Sequence, residues 1–371
     1  MNEQIRGLFP ITEEYIYLNS AACAPMPRSS AEAVTAAVED VMSHGSVHFM
    51  NWVNKKRYAR ELTAELLGVR GDQIAFMRNT SDGLSAIANG LKWQAGDNIV
   101  TFDKEFPSNF LPWRRYRDNF GVEIRACPEV NGRYDMDEFL ALIDEKTRVV
   151  AVSAVQFSSG YAADLRRIGE AAHKVGGLLV VDIIQAFGAK TLDLEFVDAA
   201  AGSSHKWLFS PEGCGVLYLS DRALEMVEPT VLGWLSVNGE DAFDVSESPL
   251  WGNALAWESG TGAAALFYGL ANSLEIIRDA GVANIEQYLN RLTDHLCSRA
   301  GEKGYEIVSS RAGSERSQIV CINHRSRQAQ DIAMELEAKK IIVSARGGRI
   351  RIAPHLFNNI EDIDRLVEAL P

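Results

Sequence analysis

The chain has 371 residues, 47% hydrophobic and 23% charged, with a formal net charge of −13. That length is more than one core comfortably fills, so two lobes are expected. The acidic balance argues against nucleic acid or an anionic membrane surface as a partner.

Through roughly the first two thirds, short β-rich runs alternate with helical patterns. In chain order these are helix 82–91, strand 98–102, helix 137–144, strand 149–152, helix 165–175, and strands 178–181 and 215–219. Such alternation predicts an α/β fold with a mostly parallel sheet covered by helices on both faces. In such sheets chemistry gathers beyond the carboxyl ends of the strands, and Asp182 lies one residue past a predicted strand. After about Gly262 the texture changes. Helices 263–280 and 284–300 lead to strands 305–308, 318–322, 341–343 and 349–352 and a final helix 360–370, a smaller α+β lobe. No repeat, low-complexity tract or flexible linker separates the lobes, so they are expected to pack closely.

The five cysteines (Cys23, Cys127, Cys214, Cys297, Cys321) stand singly with no CxxC pair, as reduced thiols do. Residues 1–6 carry no apolar core of a secretory signal, and no run approaches the ~20 apolar residues of a membrane span. A cytoplasmic location is the expectation. The basic run Trp113-Arg114-Arg115-Tyr116-Arg117 reads as a solvated helix face. His44 and His48 have the spacing of a helical metal pair, but the glutamate of the zinc-peptidase pattern is missing, and no metal is expected there.

Two segments carry chemistry. Lys206, in Ser203-Ser204-His205-Lys206, follows Asp182-Ile183-Ile184-Gln185. Together they offer an amine for a Schiff base and a carboxylate to keep a pyridine nitrogen protonated, the two needs of a pyridoxal phosphate site. Burial lowers a lysine's pKa and frees its amine as nucleophile and proton shuttle. The second segment is Arg78-Asn79-Thr80-Ser81-Asp82-Gly83 ahead of a helical run. It is either an anion site at a helix start or an ordinary N-cap.

The combination resembles the class V aminotransferase group of fold type I pyridoxal phosphate enzymes, from Tyr17-Leu18-Asn19 to Asn358. That group includes cysteine desulfurases, selenocysteine lyases, kynureninases and isopenicillin N epimerases. The resemblance implies a large cofactor domain (16–262) with a mostly parallel seven-stranded sheet, and a small C-terminal α+β domain (263–371) with residues 1–15 packed on it. It implies pyridoxal 5'-phosphate as cofactor, Lys206 as the Schiff-base lysine, Asp182 as the pyridinium partner and Gln185 at the phenolic oxygen. Thr80, Ser81, Ser203 and His205 would surround the phosphate. Phe106, in Glu105-Phe106-Pro107-Ser108-Asn109, would stack on the cofactor where desulfurases carry histidine. Thr261, in Glu258-Ser259-Gly260-Thr261-Gly262, would reach the phosphate of the other subunit of a homodimer. Arg351 would take the substrate α-carboxylate, with Arg346 and Arg349 as nearby competitors. Gln156, before Phe157 where desulfurases place Asn, would approach cofactor or substrate, or serve only to line the loop.

Persulfide-type desulfurases need a thiol on the loop ahead of that arginine, and residues 341–349 (IIVSARGGR) contain none. The expectation is an enzyme acting on a small-molecule amino acid through an α-carbanion, an amino-acid lyase (C–S or other β-elimination) or an aminotransferase. An epimerase or a kynureninase-like hydrolase are the alternatives. A non-catalytic cofactor-binding protein would be expected to lack the lysine or the aspartate, and both are present.

Overall fold

A computed structural model describes residues 3–238 and 248–371. Among these, thirteen strands run in chain order: β1 (Ile16–Tyr17), β2 (Ile74–Met77), β3 (Asn98–Phe102), β4 (Glu123–Cys127), β5 (Thr147–Ser153), β6 (Leu178–Asp182), β7 (Ala199–Ser203), β8 (Gly215–Leu219), β9 (Glu306–Ile307), β10 (Val320–Asn323), β11 (Ile341–Ile342), β12 (Ser344–Arg346) and β13 (Arg349–Ile352). The large sheet has seven strands in the order β2-β8-β7-β6-β5-β3-β4. Pairing is parallel from β7 to β4, and β8 runs antiparallel to both of its neighbours.

The central strands are mostly apolar because both faces are covered; every residue of β3, β6, β7 and β8 is buried. Phe102, at the end of β3, packs between Tyr134 and Phe139 at ring-centroid distances of 4.0 and 4.7 Å. Burying such a ring is worth roughly 2–3 kcal/mol and fixes where the chain leaves the sheet. The segment that leaves there is Asp103 to Phe106.

Strands β7, β2 and β4 were not legible in the sequence. β7 reads Ala-Ala-Ala-Gly-Ser, which by composition favours helix. Its small side chains make room for helix Thr80–Gly90, packed so closely that a Cβ at Gly83 would stand 2.9 Å from the Ala201 Cβ. Two long helices, Arg28–His44 and Phe49–Leu67, also went unread; both pack on helix Ala264–Ala280. The basic run falls on helix Leu111–Phe120, where Trp113 is buried and Arg114 and Arg117 both pair with Asp118.

Near the carboxyl end, β12-β13-β10-β9 form a four-stranded antiparallel sheet. The start of the chain is fastened beside it: β1 pairs parallel with β11 in a separate two-stranded sheet, and Arg6 meets Asp362 of helix Ile360–Ala369 at 2.7 Å. Phe9 also packs against Phe357, tilted, at a ring-centroid distance of 4.6 Å. The loop after β5 is pressed onto this part of the molecule. Gly160, at φ +73°, lets its backbone approach the Ile319 carbonyl where any Cβ would collide. No helix among the described residues is long and apolar enough to cross a membrane.

Candidate active site

Beyond the carboxyl ends of the parallel strands lies a cavity of about 290 Å³, lined in part by Asn79, Thr80, Ser81, Phe106, Asp182, Gln185, Ser203, His205, Lys206 and Arg351. These ten positions come from five stretches of chain. Asp182 closes β6 and Ser203 closes β7, so the sheet itself aims both side chains at this rim.

Lys206 is 8% exposed. Burial, only partly offset by the Asp182 carboxylate, lowers its amine to about 8. Roughly a quarter of such an amine is unprotonated at pH 7.5, against about one part in a thousand for a free lysine. Its Nζ lies 5.6 Å from the centroid of the Phe106 ring. Asp182 is 2% exposed and raised to about 6 by burial, which the Ile184 N–H and Lys206 only partly relieve. One oxygen, Oδ1, accepts the Ile184 N–H at 2.9 Å; the other has no hydrogen-bond partner among the described residues. Gln185 is held rigidly. Its Oε1 accepts from Trp207 Nε1 at 2.8 Å and its Nε2 donates to the Ala21 carbonyl at 3.0 Å.

At the other end, Ser203 Oγ accepts the Thr80 N–H at 2.9 Å, tying helix Thr80–Gly90 to β7. Ser81 and Ser108 share a 2.6 Å hydroxyl contact, and Asn79 caps the helix through the Asp82 N–H. The cap loop also lies over Gly215, where a Cβ would stand 2.7 Å from the Asn79 nitrogen. His205 lines the same end, and burial followed by the Lys206 charge keeps its imidazole below its ordinary pKa.

Arg351 is 2% exposed, and burial lowers its guanidinium to about 10. Nε donates to Ser344 Oγ at 3.2 Å and Nη1 to the Phe157 carbonyl at 3.1 Å, and no carboxylate pairs with it among the described residues. Of its competitors, Arg349 is engaged with Glu129 at 2.5 Å and lies off the cavity, whereas Arg346 lines it.

Two expected site residues do not line this chain's own cavity. Gln156 is fully buried behind the wall, its Nε2 donating to Glu105, and Phe157 takes the lining position. Thr261 is exposed and borders a different, apolar cavity with Phe49, Trp52 and Trp251. Residues that the sequence reading left without a role also reach the cavity: Ala21 and Ala22 on the loop after β1, together with Asn79, Ser108 and Ile184. Asn79 and Ser108 fall inside motifs already singled out, so proximity to those motifs was the available signal. Asp40, unremarked in the sequence, bridges His44 and His48 at 2.9 and 2.8 Å; none of the three lines the cavity.

An amine, a carboxylate with an open oxygen and a hydroxyl-lined helix start form the donor set that pyridoxal phosphate requires, and here they share one cavity. Fold and site together define a fold type I pyridoxal phosphate enzyme. More narrowly, the chain belongs to the class V aminotransferase family, whose pattern matches residues 16–365. Its relatives include a probable cysteine desulfurase of Methanothermobacter thermautotrophicus, 29% identical over 99% of this chain and 97% of its own. An uncharacterized aminotransferase of Schizosaccharomyces pombe is 30% identical over 86% of this chain and 82% of its own. Among solved structures, the apo cysteine desulfurase of Thermococcus onnurineus NA1 shares the fold with a TM-score of 0.89 at 24% identity, covering 99% of this chain and 97% of that one. A cystine C–S lyase in complex with its product cysteine persulfide superposes with a TM-score of 0.89 at 23% identity, over 97% of this chain and 98% of that one.

Proposed function

We propose that this enzyme acts on a small amino acid, either cleaving a β-substituent such as sulfur by elimination or transferring the amino group. The observation that supports this best is the pairing, in one cavity, of a partly deprotonated lysine with a buried arginine that no carboxylate among the described residues neutralises. Bound there, pyridoxal phosphate supplies an electron sink for a carbanion at the amino-acid α-carbon.

The chain's residues divide the remaining work. Lys206 would hold the bound cofactor covalently, and its amine would take Hα and return a proton. Asp182 keeps a proton on the ring nitrogen through its open oxygen. Thr80, Ser81, Ser203 and His205 hold the phosphate at the helix start, where backbone N–H groups favour an anion. Gln185 offers its remaining N–H to the phenolic oxygen. Arg351 grips the substrate carboxylate, and its planar fork sets how the α-carbon faces Lys206. Phe106 covers one face by stacking and brings no titratable proton, so proton transfer falls to Lys206. In an Arg351→Ala protein we expect KM for carboxylate substrates to rise by about 10–100-fold with a smaller change in kcat, the loss of one charge-assisted pair. Retained affinity in steady-state kinetics would reassign the role to Arg346.

A persulfide route through a loop thiol has no support in residues 341–349. Cys321 is buried in β10, its Sγ 3.2 Å from the Ser158 carbonyl and its pKa pushed up to about 11 by burial. The homodimer belongs to the same reading. Val38, Met42, Val47, Met50, Val231 and Leu232 are exposed apolar side chains, and an apolar cavity of about 380 Å³ lies among Phe49, Trp52, Trp251 and Leu255. A second copy docked there would bring Thr261 to its partner's phosphate.

The experiment is a panel of amino acids incubated with the yellow, cofactor-loaded protein. Pyruvate with sulfide or ammonia marks elimination, and a keto acid formed only with an amino acceptor marks transamination. Racemised substrate, or cleavage of kynurenine, would shift the reading to the epimerase or hydrolase alternative. A protein that borohydride bleaches yet that turns over no amino acid would leave only cofactor binding.

A further inference from the structure

Glu105 is a buried acid that the chemistry above does not use. It is 8% exposed and lies under the cavity wall, not on it, between β3 and Phe106. Its carboxylate accepts the Ser153 N–H at 2.7 Å, the Ser153 hydroxyl at 2.5 Å and Gln156 Nε2 at 2.7 Å. Ser153 is the sheet partner of Asp182, and the Ala154 N–H donates to the Asp182 carbonyl at 2.9 Å. One side chain thus braces the end of β5 beside Asp182 and starts the segment that carries Phe106.

Bracing alone does not call for an acid. A glutamine could make the same three contacts, its Oε1 accepting and its amide donating to Ser153 Oγ. Burying a carboxylate without a cation is expensive, and no lysine or arginine pairs with Glu105 among the described residues. The titratable groups that face it from other elements are Asp182 on β6 and Tyr134.

We propose that Glu105 is a positioning residue for this site, one that fixes Phe106 and the Asp182 end of the sheet and whose exchangeable proton sets the charge felt at Asp182. The proposal rests on the cavity holding pyridoxal phosphate. Burial first, then the Asp182 charge against three hydrogen bonds, raises Glu105 to about 7, so it changes state near neutrality. The folded protein keeps a proton that the unfolded chain releases near 4.5, so this group erodes stability as pH rises from about 4.5 to about 7.

The test uses the cofactor-loaded protein, wild type against E105Q and E105A, with three readouts that need no substrate: cofactor affinity, visible circular dichroism and absorbance from pH 5 to 9. E105Q should bind cofactor within threefold of wild type while losing the absorbance transition near pH 7, and its melting temperature should fall less between pH 5 and pH 8. E105A should weaken cofactor binding by at least ~10-fold, as loss of a buried partner does, and diminish the visible circular dichroism. An E105Q protein whose absorbance transition and melting profile coincide with wild type overturns the proposal, and this outcome is readable even if E105A does not fold. A colourless wild-type protein would instead strike at the cofactor reading itself.

Discussion

Lys206→Ala should leave a folded protein that holds cofactor without a covalent link and turns over at least ~100-fold more slowly. The size follows from the two jobs proposed for one amine. It is the only lysine lining the cavity among the described residues, and its neighbours there are ill suited to replace it as a base. Phe106 and Phe157 carry no titratable proton, and His205 stands at the phosphate end beside Ser203. Folding should survive because the Lys206 side chain makes no hydrogen bond that the sheet depends on, whereas its backbone carbonyl still caps the turn to Phe209. Single-turnover assays and borohydride trapping check this. Turnover within tenfold of wild type would move the proton chemistry to another residue.

Asp182→Asn should cost about 10²–10³ in turnover, the scale of one charge removed from a preorganised electrostatic site. The open oxygen opposite Ile184 becomes part of a neutral amide, which cannot hold a proton on a ring nitrogen as a carboxylate does. Attachment of the cofactor to Lys206 does not depend on that proton, so borohydride should still bleach the variant. Exchange of Hα with deuterated solvent is the discriminating measurement, because it reports carbanion formation before any product step. Exchange at the wild-type rate would contradict the electron-sink role. The substitution should also flatten the pH dependence of stability in cofactor-free protein. Asp182 is raised to about 6, so the wild type loses stability as pH climbs from about 4 through 6, and the amide has no charge to bury.

The lining of the candidate cavity was legible in the sequence to the extent that it rests on local motifs. Asp182 at a strand end and Lys206 in its Ser-x-His-Lys run are short-range signals, and the sheet does deliver both to one rim. The reading failed where packing overrides propensity. β7 is alanine-rich because helix Thr80–Gly90 presses against it, a tertiary fact with no local sign. Helices Arg28–His44 and Phe49–Leu67 each expose apolar residues, among them Val38, Met42 and Met50, which blurs the one-sided stripe that marks a surface helix. Gln156 and Phe157 are adjacent, and only their orientations decide which faces the cavity. Sequence left Gln156 either near the cofactor or lining the loop, and the 2.7 Å tie to Glu105 turns it inward, away from the cavity that Phe157 lines. Arg349 and Arg351 share one face of β13, and a partner on another loop, Glu129, removes the first from contention.

The hold on Arg351 has a mechanical side. Its stem is rooted in the antiparallel sheet, while its Nη1 leans on the Phe157 carbonyl of the loop that leaves β5. An acid captured by that guanidinium therefore rivets two separately built halves of the molecule across their seam. Amines of similar shape but without an acid group would leave the seam unfastened. Amide hydrogen exchange along β13 should slow when an amino acid binds and stay unchanged with its decarboxylated counterpart.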